Sequence, residues 1–424
     1  MRCMLPEACI IALTALMIFL FIPFGDAFDA LHPVGHAQQA AVSAMYQQRP
    51  RRVGAPQGDV PAREQPAPPA APASAPLGEE VDDGDVVRFD TQLVTVPLVV
   101  TNREGRPVPS LRAENFAIFE DSRPQRVANF AATETPFEVA LLLDTSGSTR
   151  TEVALIRRAA NAFIDALRPG DRVAVVAFSS SQETEGQLAT VEVKTPLTSD
   201  RAALRTAVEN ISSSNGTPFY NALERVATEV FREPPPAEVR GRRALVALTD
   251  GVDSTSDADY ADARARLLQA GVLCYFVQVN TEDYVEDRLM KSCAEDGTMH
   301  LSRMQLQRYR RLFASRADAS EYLNFCRIGQ LERMQISRAL YNLARREMNE
   351  LARASGGKTF VATDVRDARA AFAQVAAEIG TQYSLGYYPT DKTRDGRFRP
   401  IRVEVRNLPG AQVRAREGRY APKG

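Results

Sequence analysis

The stretch FEVALLLDTSGS, residues 137–148, decides the fold of this 424-residue chain. Residues 139–143 form a short, continuous apolar run, a pattern typical of a parallel strand that is buried on both faces. The chain then changes abruptly to carboxylate, hydroxyl and glycine residues from Asp144 to Ser148. In open α/β sheets, ligands bind in the loops that follow the carboxyl ends of the strands. The stretch therefore predicts a buried strand that ends in a functional loop.

The chain downstream repeats this succession of apolar strand and helix. Strands that alternate with helices indicate βαβ units with right-handed crossovers, and hence a parallel sheet. We therefore expect an α/β fold, a doubly wound parallel sheet of the Rossmann-like kind with helices on both faces. The predicted strands are residues 139–143, 172–178, 244–249, 272–279 and 358–362, and the predicted helices are 152–167, 202–211, 219–231, 258–270, 340–354 and 368–379.

Two later loops also carry oxygen-bearing side chains. Thr217 follows Gly216 and opens a predicted helix, whereas Asp250 ends the strand at 244–249. Because loops at the carboxyl ends of parallel strands converge, we expect these residues and Asp144 to meet at one edge of the sheet. Taken singly, such residues more often cap helices or shape turns, which is the role that we expect for the nearby Asp253 and Ser254.

Together, these residues resemble the metal-ion-dependent adhesion site of a von Willebrand factor type A (VWA) domain. That motif is Asp-x-Ser-x-Ser with a distant Thr and a distant Asp, and here it falls on Asp144, Ser146, Ser148, Thr217 and Asp250. The wider chain, with YSLGYYP at 383–389 and a strand-rich end, is similar to bacterial secreted "VWFA-related" proteins of the Acidobacteria type. The resemblance covers residues 86–424 except for 283–336.

The resemblance implies a divalent cation, Mg²⁺ or else Mn²⁺ or Ca²⁺, because hydroxyl and carboxylate oxygens suit hard cations rather than zinc. In this family the Ser and Thr hydroxyls contact the metal and the Asp residues act largely through water. A protein ligand then offers an acidic side chain that completes the octahedron. We therefore expect a metal-dependent binding protein. The alternative is a structural or assembly factor of the cell envelope in which the metal site is only stabilising.

Composition argues against an enzyme and against nucleic-acid binding. The chain has three histidines, His32, His36 and His300, of which two precede residue 40. The folded part therefore offers a single imidazole, and His300 has no Cys or Asp partner at catalytic spacing. Lys and Arg number 52 against 53 for Asp and Glu, a formal net charge of −1. A chain so close to neutral has no bulk electrostatic attraction for nucleic acid or an anionic membrane.

The N-terminus predicts export. Residues 8–24 are apolar and uncharged, and we interpret residues 1–37 as a signal peptide or an uncleaved N-terminal membrane anchor. Either places the remainder in the periplasm, the outer envelope or the extracellular space. Residues 38–85 follow as a disordered linker, since eight prolines between 50 and 76 lie among many alanines. Any membrane contact would be made through the N-terminal anchor.

Strand patterns flank the predicted VWA domain, which spans residues 137–380. We expect segments 86–133 and 381–421 to form one small β-sandwich into which the domain is inserted, because neither flank has enough strands to be stable alone. Residues 283–336, the inserted segment, break the α/β pattern and are charged and mostly helical. Their role stays open, between a solvated elaboration and a partner-binding element beside the metal. The candidate contact residues are Tyr284, Met290, Met299, Met304, Tyr309, Phe313, Tyr322 and Phe325.

Three cysteines remain after the predicted leader. Cys274 lies in an apolar run and is expected to be a small buried side chain. Cys293 and Cys326 are then the candidate disulfide pair, within the inserted segment.

Overall fold

The structure contains a six-stranded sheet with helices on both faces and two four-stranded antiparallel sheets. The strands of the six-stranded sheet are consecutive in the sequence, whereas each four-stranded sheet combines strands that precede them with strands that follow them. The computed structural model describes residues 93–132, 135–147, 152–179, 189–236, 238–239, 242–291 and 300–422. The strands are β1 (Val94–Thr101), β2 (Phe116–Glu120), β3 (Arg123–Gln125), β4 (Val127–Ala131), β5 (Glu138–Leu143), β6 (Arg172–Ser179), β7 (Thr190–Thr198), β8 (Arg243–Thr249), β9 (Leu273–Val279), β10 (Lys358–Ala362), β11 (Tyr383–Tyr387), β12 (Phe398–Val405), β13 (Gln412–Ala415) and β14 (Gly418–Tyr420). The helices are α1 (Val153–Ala166), α2 (Arg201–Glu209), α3 (Phe219–Arg225), α4 (Tyr260–Gln269), α5 (Glu282–Leu289), α6 (Arg303–Phe313), α7 (Gln330–Ser355) and α8 (Ala368–Ile379).

The central sheet has the strand order β10-β9-β8-β5-β6-β7, in which every neighbouring pair is parallel except β6 and β7. Alternate residues of β5 belong to two different cores. Leu141 packs with Phe163 and Phe372 of α1 and α8, whereas Leu142 packs with Leu351 of α7 and other residues of α3 and α4. Burial on both faces explains why β5 is a continuous apolar run. The predicted α/β fold class is confirmed.

The strands that flank this domain form two sheets around a shared apolar core. Strand β1 pairs antiparallel with β11 and β13, which lie beyond the domain, and β2 pairs in the same way with β12. Side chains from both sheets, among them Leu98, Ile118, Tyr383 and Val403, are buried against one another. Two segments that are far apart in the sequence therefore complete a single β-sandwich.

The inserted segment has a small core of its own. Helices α5 and α6 and the start of α7 surround Leu306, Phe325 and Ile336. Tyr322 and Phe325 were candidate contact residues because aromatic residues are enriched in interface cores. They are only 6% and 4% exposed and instead supply the apolar centre of the segment. Helix α7 begins at Gln330, ten residues before the predicted helix at 340.

Several predictions fall on residues that the structure does not describe. The predicted leader at 1–37, the linker at 38–85, Ser148 and Cys293 lie outside the described residues. Cys326 is disulfide-bonded and Cys274 is free and buried, but the pairing of Cys326 with Cys293 stays a prediction. Among the described helices, none is both long and apolar enough to cross a bilayer.

Candidate metal site

Asp144 occupies the first position after β5, where its backbone N–H still donates to Leu248 O of the neighbouring strand at 3.0 Å. Its side chain is buried, with an exposed fraction of 1% for the residue. One carboxylate oxygen accepts from the backbone N–H of Ser146 at 3.0 Å, and the other accepts from Oγ1 of Thr249 at 2.6 Å. Both of these donors are uncharged, so they orient the carboxylate without neutralising it.

Asp250 occupies the equivalent position after β8 and is also buried. One oxygen accepts from the backbone N–H of Val252 at 2.9 Å, and the other accepts from Oγ1 of Thr281 at 2.6 Å. The Thr281 hydroxyl lies 2.7 Å from the hydroxyl of Tyr341 in α7. Since Thr281 donates to the carboxylate, Tyr341 donates to Thr281. A chain of two hydroxyls therefore connects Asp250 to α7.

Thr217 is held in place by reciprocal hydrogen bonds between two loops. Its N–H donates to Oγ of Ser254 at 2.8 Å, while the N–H of Ser254 donates to Thr217 O at 3.0 Å. The preceding Gly216 has φ +120°, and a Cβ there would lie 2.7 Å from Cγ2 of Thr255. Only glycine fits this position. Asp253 accepts from the backbone N–H groups of Tyr220 and Ser256, so it shapes the loop as expected.

Ser146, Thr217 and Asp250 line one cavity of about 170 Å³, which we call the metal-site cavity. Asp144 does not line the cavity, but its carboxylate accepts a hydrogen bond from the backbone N–H of Ser146, which does. Ser148 lies outside the described residues. A second wall of the cavity comes from α5, from the residues that open α6 and from α7. This wall consists of Val285, His300, Leu301, Gln305, Ser337, Leu340 and Tyr341. The inserted segment therefore lies beside the predicted metal, as its departure from β9 implied.

The electrostatics of the cavity favour a cation. Burial, together with the nearby Asp250 carboxylate, raises the pKa of Asp144 to about 7. Among the described residues that line the cavity, none is Lys or Arg. Two buried carboxylates close to one another are unfavourable unless positive charge or a proton compensates them. The donors available are hydroxyl and carboxylate oxygens, the set that Mg²⁺, Mn²⁺ and Ca²⁺ prefer. The residues present fit such an ion.

Sequence reasoning missed Thr249, Thr281 and Tyr341. The first two were within reach of the rule that found the others, because they lie at the carboxyl ends of β8 and β9 on the same sheet edge. Their role is to orient carboxylates, which leaves no signature in spacing. Tyr341 could not have been found, since its position depends on how α7 packs against the edge.

Comparison with known proteins identifies the domain. Residues 138–308 match the family model of the von Willebrand factor type A domain. No curated protein matches the chain.

Solved structures show weaker likeness. BatB from Bacteroides thetaiotaomicron is 18% identical with a TM-score of 0.35, over 57% of this chain and 98% of that one. A von Willebrand factor type A protein from Catenulispora acidiphila is 14% identical with a TM-score of 0.37, over 79% and 75%. Proximal thread matrix protein 1 from the mussel byssus, with a zinc-occupied MIDAS motif, is 22% identical with a TM-score of 0.29, over 36% and 38%. On the family match, this chain contains a von Willebrand factor type A domain at residues 138–308.

Proposed function

We propose that this chain is an exported, non-enzymatic binding protein that holds a divalent cation and captures a protein ligand through an acidic side chain. Asp144, Ser146, Ser148, Thr217 and Asp250 would hold the cation. The observation that carries the proposal is the metal-site cavity, where Ser146, Thr217 and Asp250 converge and where the Asp144 carboxylate is buried close by.

The arrangement of donors supports ligand capture as well as metal binding. The Ser146 and Thr217 hydroxyls are neutral, so they can contact a cation without reducing its charge. Asp144 is turned toward the Ser146 N–H and Thr249, which suits a carboxylate that acts through water. A cation held in this way supplies a positive centre for an incoming carboxylate. VWA domains commonly mediate protein binding and often hold a divalent metal at this motif.

Export is supported by two observations. The apolar residues 8–24 suit a signal peptide or anchor. Cys326 is disulfide-bonded, and such bonds persist mainly in oxidising compartments.

A structural role is the second candidate, in which the cation only stabilises the fold of an envelope assembly factor. The observation that favours it is the inserted segment, because Ser302 Oγ donates to Ser254 O at 2.6 Å and so fastens α6 over the loop that holds Thr217. A wall fixed so close to the metal edge narrows the approach of a protein ligand.

Titration calorimetry with Mg²⁺ and Mn²⁺ tests the metal site. The wild type should bind one equivalent, and Asp144→Ala should weaken binding by at least 100-fold while the far-ultraviolet circular dichroism stays unchanged. Asp165→Ala, an exposed acid on α1, is the matched control and should bind as the wild type does. Equal affinity in the wild type and Asp144→Ala would place the metal elsewhere.

Capture of a ligand from the native envelope, with and without EDTA, separates the two candidates. A binding protein loses its partner in EDTA. An assembly factor retains its partner in EDTA, and the main effect is a lower melting temperature.

A further inference from the structure

The wall that the inserted segment adds to the metal-site cavity carries polar groups of its own. His300, Gln305 and Ser337 line the same cavity as Ser146, Thr217 and Asp250. Oε1 of Gln305 accepts from the Ser302 N–H at 2.9 Å, which leaves its amide NH₂ with no hydrogen bond to a described residue. The Ser337 hydroxyl and the His300 ring nitrogens also have no hydrogen-bond partner within the described part of the chain. Three polar groups therefore remain available to a molecule in the cavity.

This polar wall is held rigidly against the sheet edge. The Ser302 side chain accepts from the Gln305 N–H at 3.1 Å, and Gln305 accepts from the Ser302 N–H in return. This capping box fixes the first turn of α6. Ser302 Oγ also donates to Ser254 O, so the same turn is joined to the loop beneath Thr217. The start of α6 is thus held at a fixed position relative to the loop that contains Thr217.

Apolar side chains also line the cavity. They are Val252, Val285, Leu301 and Leu340. An occupant should therefore combine polar groups with an aliphatic part. The volume of about 170 Å³ is near that of a cavity of about 150 Å³ that holds a benzene-sized molecule. A short chain of a few carbons fits this volume.

We propose that the ligand of this site is a carboxylate on a short aliphatic chain that carries a second hydrogen-bonding group, and that His300, Gln305 and Ser337 recognise that second group. The chemistry is that of a short dicarboxylate. It can come from a free dicarboxylic acid or from a glutamate side chain on a protruding peptide, with a backbone carbonyl as the second group. The inference rests on the proposed function, because the first carboxylate requires the cation.

Calorimetry on the full chain saturated with Mn²⁺ tests the inference with glutarate and pentanoate, which share five carbons and differ in the second carboxylate. Glutarate should bind at least 10-fold more tightly. Ser337→Ala and His300→Ala should each weaken glutarate by about 5- to 10-fold, the effect of about one hydrogen bond, with pentanoate and Mn²⁺ affinities unchanged. Ser320→Ala, on an exposed turn of the same segment, is the control and should change nothing. Glutarate should also shift the His300 ring resonances, a readout that does not depend on affinity.

A flexible peptide with a single glutamate, and its glutamine counterpart, distinguish the two sources. Binding of glutarate alone identifies a free acid, and binding of the glutamate peptide alone identifies a side chain. Measurable and equal affinities for glutarate and pentanoate would overturn the inference, as would the failure of both glutarate and the glutamate peptide to bind while Mn²⁺ still binds. Failure of Mn²⁺ itself to bind would instead overturn the proposed function.

Discussion

The two ends of β5 carry acids in opposite electrostatic settings. Glu138 begins the strand and Asp144 follows its last residue, and each residue is 1% exposed. Glu138 lies between two guanidinium groups, with Arg172 Nη1 and Arg243 Nε each 2.8 Å from one of its oxygens. Asp144 accepts from a backbone amide and a hydroxyl, and the charged group that raises its pKa is a second carboxylate.

The difference separates an acid that serves the fold from one that serves a ligand. Glu138 carries its counter-ions within the chain, so its charge is balanced as soon as the sheet forms. Asp144 is oriented by a backbone amide and a hydroxyl, and the nearby Asp250 carboxylate adds to the negative charge around it. A buried carboxylate in that state destabilises the metal-free protein, and the cation that we propose would remove the penalty. The following experiments sharpen or break this comparison.

The largest effect is expected from Glu138→Ala. The substitution leaves Arg243, which is 5% exposed, without its carboxylate, and removing one partner of a buried pair costs roughly 3–5 kcal/mol. Urea unfolding should show this loss with or without metal. Glu229→Ala, at an exposed i,i+4 pair with Arg225, is the control and should change stability little. A loss as small as that of the control would mean that Glu138 and Asp144 do not differ as described.

A smaller effect, of opposite sign, is expected from Asp144→Asn in EDTA. The amide removes a buried negative charge beside Asp250 and keeps an acceptor for the Ser146 N–H. At pH 8 the metal-free variant should be more stable than the wild type by on the order of 1–3 kcal/mol. Saturating Mg²⁺ should stabilise only the wild type. A variant that is less stable than the wild type in EDTA would show that the carboxylate is structural.

The stability of the metal-free wild type should fall relative to that of Asp144→Asn as the pH rises. The pKa of Asp144 is about 7 in the folded chain and near 3.8 when unfolded, so the folded state binds the proton more tightly. Metal-free wild type should therefore lose roughly 2 kcal/mol relative to Asp144→Asn as pH rises from 5 to 7, and little more above that. Chemical denaturation at a series of pH values in EDTA measures the difference. Parallel curves for the two proteins would contradict the shifted pKa.

The smallest effect is expected at the surface pair of Arg205 and Asp165, whose side chains are each about half exposed. Asp165→Ala should cost less than about 1 kcal/mol, because water and salt screen exposed pairs. Thermal unfolding at low and high salt provides the measurement. A cost comparable to that of Glu138→Ala would mean that burial is not what distinguishes these acids.

Most of the central sheet could be predicted because burial on both faces produces continuous apolar runs. Strands β5, β8 and β9 were found in this way. Strand β7 (Thr190–Thr198) was missed, since it lies at the edge of the sheet and several of its side chains are exposed. The first residues of α7 were assigned to the inserted segment, which was expected to be mostly helical, and they do pack with α5 and α6.

The residues of the candidate site that could be predicted are those that the order of strands in the sheet brings together. Ser146, Thr217 and Asp250 follow from the rule that the ends of parallel strands converge, combined with a motif. The wall formed by His300, Gln305 and Ser337 does not follow from any rule of spacing. It depends on the capping box of α6 and on its contact with Ser254, which are tertiary details.

Strand pairing in the β-sandwich constrains the order in which the chain can fold during synthesis. Val94 of β1 pairs with Tyr387 of β11, about 290 residues later. At about 5–20 residues per second, β1 would wait roughly 15–60 seconds for its partner to be made. During that interval the VWA domain can fold, while the apolar strand VTVPLVVT has no sheet to join. Strand β1 is therefore synthesised early but paired late. Until β11 has been synthesised, β1 is an unpaired apolar segment that is exposed to aggregation.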